Sequence, residues 1–124
     1  MKKISENIDT FGIPEIDEDY MIEMSNLRPN ETGLPMVIWV QPNTGRLKHG
    51  PRIKVQTAHG HKASSDKFAS VGFSRDGEVQ NFGGLTHSDF ELVKQFIAIN
   101  LDLLINLWDD EISPMEFASQ MKKV

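Results

Sequence analysis

From Phe90 to Trp108 the apolar residues Phe90, Val93, Phe96, Ile97, Leu101, Leu104 and Trp108 recur at the three- and four-residue spacing of a helix face. No other feature narrows the fold as far. Leu92, Ile99, Leu103, Ile105 and Leu107 widen the apolar surface beyond one stripe. Such a helix must pack on a sheet, and a second face must be covered by the N-terminal arm, a final helix or another subunit. Ser88-Asp-Phe-Glu91 matches a capping box at its start, and Asp109, Asp110 and Glu111 end it. Ser113-Pro-Met-Glu116 then opens a second helix with its own capping box, and Met115, Phe117, Ala118 and Met121 are expected to dock it.

The sheet must come from the residues before the helix, where the period changes to two. Tyr20 to Leu27 alternates as a half-buried strand. Arg28-Pro-Asn-Glu-Thr-Gly33 is turn chemistry, and Leu34 to Gln41 is nearly continuous apolar, as a central strand requires. Pro42-Asn-Thr-Gly45 turns the chain again. In the following strand, Arg52 to Thr57, Ile53 and Val55 should face inward while Arg52, Lys54 and Gln56 face outward. Ala58 to Asp66 reads as a loop. Phe68 to Ser74, the turn Arg75-Asp-Gly77 and Glu78 to Phe82 complete an antiparallel meander, released by Gly83-Gly84.

A chain of 124 residues with 39% hydrophobic and 25% charged residues fits one soluble domain, 1–124. Residues 1–19, with the acidic run Ile13-Pro-Glu-Ile-Asp-Glu-Asp19, read as a flexible arm. With no cysteine, disulfides, thiol nucleophiles and Cys-zinc sites are excluded. No apolar run is long enough to span a bilayer and no secretory signal pattern is present, so a cytoplasmic protein with no membrane partner is expected.

The net charge of −5 is unevenly spread. Six basic residues face one acid between Arg46 and Lys67, a local +5 that leaves −10 for the rest. Arg46, Lys48, His49, Arg52, Lys54 and Lys62 are therefore the candidate residues for an anionic ligand, nucleic acid or a phosphate-bearing small molecule. Trp39 would offer a stacking platform if it faced outward, although apolar Val37, Ile38 and Val40 around it argue for the core. Glu15, Asp17, Glu18 and Asp19 form a second candidate surface, for a protein partner.

Catalytic chemistry has less support. His49, His59 and His61 are the candidate metal ligands for a metal-dependent phosphodiesterase, but their spacing fits no closed zinc motif, and turn histidines account for the same residues. There is no Gly-x-Ser-x-Gly elbow to place a serine beside His49 or His87. Gly83-Gly84-Leu-Thr-His-Ser88 precedes a helix N-terminus that by geometry can hold an anion, yet it lacks a P-loop lysine, and leaving a strand explains the same glycines.

His49-Gly-Pro-Arg-Ile-Lys-Val55 and the stretch Asn100 to Trp108 resemble an uncharacterised bacterial family of small domains often encoded near toxin–antitoxin genes. There a His-x-Pro-Pro-His-type approach enters a strand and a helix ends Asn-x-x-x-Leu-x-x-x-Trp. The resemblance covers residues 34–110. It departs where Arg52, Ile53 and Lys54 replace the second proline and the following His-x-His. The resemblance implies a bacterial or phage accessory protein and carries no established activity.

The expected fold is thus α+β, a small antiparallel β-meander packed against a long C-terminal helix plus a short terminal helix. The leading functional expectation is a non-enzymatic binding protein using the strip 46–62, with no cofactor. The alternatives are a protein-interaction module, such as a phage-type inhibitor of a bacterial defence complex acting through its acidic surface, and the metal-dependent phosphodiesterase. Self-association is left open by the wide apolar face of the helix.

Overall fold

The computed structural model describes residues 25–43, 50–64 and 67–124. Within them the architecture is α+β. Five antiparallel strands, β1 (Ser25–Leu27), β2 (Ile38–Val40), β3 (Arg52–Gln56), β4 (Phe68–Phe73) and β5 (Val79–Asn81), lie side by side in chain order. That order is the meander the alternating pattern calls for. The acidic arm and most of the expected strand from Tyr20 fall outside the described residues.

Arg28 to Gly33 is a single helical turn, α1 (Pro29–Thr32), where the composition suggested a simple reversal. Pro29 stands at the first helical position, where no donor is needed. Glu31 accepts a hydrogen bond from the Arg28 backbone N–H at 2.7 Å, and Gly33 ends the turn at φ 85°.

One face of the sheet carries Leu27, Ile38, Val40, Ile53, Val55, Val71 and Phe73 into the main core, where Val93, Phe96, Ile97, Leu104, Leu107 and Phe117 meet them. The helical stripe thus packs on the sheet as its period requires. It does so, however, as two helices, α2 (His87–Ile99) and α3 (Leu101–Trp108), divided at Asn100. Asn100 leaves helical geometry at φ −119° and ψ 19°. Its buried side chain donates to Phe96 O (3.0 Å) and Lys122 O (2.9 Å) and accepts from the Lys122 N–H (2.7 Å). These bonds reach a segment remote in sequence, so local periodicity carries no sign of the break.

The start of α2 also differs from the expected Ser88 cap. Thr86 is the N-cap, and its Oγ1 accepts from the Asp89 N–H at 3.2 Å. Thr86-His-Ser-Asp89 offers the same acceptor-to-donor spacing two residues earlier. The last helix, α4 (Pro114–Gln120), has the expected reciprocal box between Ser113 and Glu116. Phe117 anchors it, fully buried, whereas Met115 is 82% exposed and Ala118 is exposed, so neither docks the helix as expected. Met121, at the end of the helix, is half-buried and packs against the same core as expected, so Phe117 and Met121 dock it.

Among the described residues, the opposite face of the sheet is covered at one end only. Val37 and Trp39 form a small second cluster with Ala63 and Phe68, beneath the loop 57–64. Gln56 points to this face as alternation demands but is buried rather than exposed. Its Nε2 donates to Ala58 O (3.0 Å) and its Oε1 accepts from the Ser64 N–H (2.8 Å), which pins the loop down. Trp39 is accordingly core, at 1% exposure.

Candidate anion-binding groove on the open sheet face

Beyond the reach of the loop, the outer sheet face is built by alternation and register. Ile53 and Val55 turn inward, so Arg52 and Lys54 must turn outward. Arg52 stands opposite Gly72 on β4, and Gly72 stands opposite Gln80 on β5. Phe82, just past β5, bonds its N–H to Ser70 O at 3.2 Å and lays its ring back over Gly72. The space is available only because position 72 has no side chain, since a Cβ there would come within 2.7 Å of the ring.

The ring meets the Arg52 guanidinium, whose Cζ lies 4.6 Å from the ring centroid. Lys54 is held further along β3, with Nζ donating to Ser70 Oγ at 2.9 Å and lying 5.4 Å from the Phe68 centroid. The two cations therefore stand side by side on one face, each against an aromatic ring.

Their environments differ. Lys54 has a hydrogen-bond partner, whereas among the described residues the half-buried Arg52 makes no salt bridge and its buried Nε finds no hydrogen-bond acceptor. The ion pairs between described residues are His59–Asp89 and Arg75–Asp109. Burial lowers the Arg52 pKa from its ordinary value, the sign of a charge partly removed from water without a compensating anion.

Arg52, Gly72, Gln80 and Phe82 line an open groove of about 700 Å³, which Lys94 of α2 and Glu78 also border. Phe82 and Lys94 were not among the residues the sequence singled out. Gly72 within an otherwise regular strand was the available signal, because a glycine there marks close approach by another group.

Of the remaining expected ligand residues, Lys62 is exposed on the loop 57–64 and is not among the residues that line the groove. Arg46, Lys48 and His49 lie outside the described residues, as do Glu15, Asp17, Glu18 and Asp19. Among the described residues the histidines do not converge. His59 Nε2 is engaged by both oxygens of Asp89 at 3.0 and 2.9 Å, while His61 and His87 are exposed. Among the described residues no group of three or more acidic or histidine side chains is arranged to hold a metal ion. Asp89 in the first turn of α2 also places a carboxylate where a phosphate at that helix N-terminus would sit. No helix among the described residues is long and apolar enough to cross a membrane.

An α+β sheet-and-helix domain with a basic and aromatic groove on its open face is the class this geometry defines. Comparison with known proteins finds no matching family model, curated protein or solved structure.

Proposed function

We propose that this is a non-enzymatic binding protein that takes up an anionic ligand, nucleic acid or a phosphate-bearing small molecule, on the outer face of β3 to β5. The observation that carries the reading is Arg52, a half-buried cation on the outer face with no carboxylate partner among the described residues. Burying a charged donor without a partner is costly, and a phosphate oxygen placed against the guanidinium would offset that cost. Lys54, one alternation further along the strand, adds a second charge to the same face.

The test is the double substitution Arg52→Gln and Lys54→Gln. Pyrophosphate and a single-stranded oligonucleotide, titrated against the isotopically labelled protein, should shift the amide resonances of β3, β4 and β5 in the parent chain and leave them unmoved in the variant. The variant should melt near the parent temperature, since both side chains lie on the outer face. A folded double variant that binds both probes as the parent does would sink the proposal.

A further inference from the structure

We infer that the ligand is a nucleoside phosphate of mononucleotide size, with its base against Phe82 and its phosphate on Arg52. This rests on the anion-binding reading above and names its ligand. Three observations converge on it.

Phe82 is a large aromatic side chain left 47% exposed at the edge of the sheet. It is nevertheless fixed in place, by the bare backbone of Gly72 beneath it and by the guanidinium at 4.6 Å. A ring that is both held and exposed is the arrangement a planar heterocycle uses for stacking. Arg52 adjoins that ring and has no carboxylate partner among the described residues. A ligand carrying a planar apolar group and a phosphate a few bonds apart satisfies both with one molecule. Gln80, outward on the same face, adds an amide that can bond to a base edge.

Size and charge separate a mononucleotide from a longer strand. The groove of about 700 Å³ falls within the range of small-molecule sites, roughly 300 to 1,000 Å³. Glu78 borders it and Asp76 is exposed in the adjoining turn, so a polyanion running on past the groove along β4 and β5 would meet these carboxylates, whereas one nucleotide held by Phe82 and Arg52 would not.

Titration of the four ribonucleoside triphosphates against inorganic tripolyphosphate, by calorimetry on the full chain, tests this. Stacking on Phe82 should make at least one nucleotide bind roughly 5- to 100-fold more tightly than tripolyphosphate. Phe82→Leu should remove most of that difference and leave tripolyphosphate affinity unchanged. If Phe82→Leu does not fold, Gly72→Ala, which displaces the ring, should have the same effect.

Equal affinity for nucleotides and tripolyphosphate, with tripolyphosphate still sensitive to Arg52→Gln, would overturn the nucleoside assignment and leave the anion site standing. Tripolyphosphate binding indifferent to Arg52→Gln would overturn both readings. Oligothymidylates whose affinity climbs steadily with length would overturn the mononucleotide assignment in favour of a single-stranded nucleic acid.

Discussion

Replacing Asn100 by alanine should loosen the C-terminal tail from the rest of the domain. The Asn100 side chain is 2% exposed as a residue and holds three hydrogen bonds, two of them to the backbone of Lys122. Phe96 O keeps a partner in the variant, because the Asn100 N–H also bonds to it at 3.2 Å. The loss therefore falls on the two Lys122 bonds, each contributing about 0.5 to 1.5 kcal/mol net. A net loss of about 1 to 3 kcal/mol is expected. At about 2.1 cal/mol/K of unfolding entropy per residue, a chain of 124 residues shifts its melting temperature by about 4 °C per kcal/mol, so the drop should be about 4 to 12 °C. Hydrogen exchange should show the same thing locally. The Lys122 amide loses its acceptor, and the Val124 amide, bonded to Thr32 O at 2.9 Å, should exchange faster as the tail frees itself. Asn100→Asp is the sharper control. It keeps an acceptor for the Lys122 N–H but sets a buried carboxylate beside two carbonyl oxygens, so at neutral pH it should be less stable than Asn100→Ala and regain stability as acid protonates it. If Asn100→Ala melts within about 2 °C of the parent and the Lys122 amide keeps its protection, the tail is not held by this residue.

Two further outcomes follow from the remaining side-chain pairs. His59→Ala should cost about 1 to 2 kcal/mol, because it leaves the largely buried Asp89 carboxylate without its imidazole partner. The same change made in an Asp89→Ala background should cost almost nothing, and equal costs in the two backgrounds from urea titrations would show that the pair is not coupled. At the other end of the sheet, the Arg75 guanidinium forks onto both Asp109 oxygens at 2.7 Å and holds that carboxyl below its usual range. The Ser74 hydroxyl, followed by the Glu78 backbone N–H, lowers Asp76 in the same way. Both groups bind protons more weakly folded than unfolded, so their stabilisation is present above the ordinary aspartate value, about 3.9, and is lost as pH falls through the native values. Asp109→Asn should thus shrink the gap between urea midpoints measured at pH 7 and pH 3, and an unchanged gap would count against the pair.

The strands were legible because their determinants are local. Alternation alone put Ile53 and Val55 inside and Arg52 and Lys54 outside, and Ser113 and Glu116 form the box their spacing implied. Where reading the chain fell short, the deciding partner was distant. Asn100 breaks the helix through bonds to Lys122, although the apolar period runs on unbroken from Phe96 to Trp108. Gln56 has the direction alternation requires but not the exposure, because Ala58 and Ser64 fold over it. The candidate groove sits between these cases. Its charge could be read from β3 by itself, but Phe82 lies thirty positions on, and only the pairing of β3 with β4 and β4 with β5 brings it to Arg52. The two are diagonal neighbours across Gly72, so their contact depends on the register of both ladders at once. A one-residue slip of β5 would send Phe82 to the helix side and leave Arg52 with neither ring nor anion. The tie from the Phe82 N–H to Ser70 O, together with the tight turn in which the Gly77 N–H bonds to Ser74 O, fixes that register. The site is therefore a property of the meander's pairing rather than of its basic strand alone, and a variant with a residue inserted in the 75–78 turn should lose the ring's share of binding while the charge of Arg52 and Lys54 stays in place.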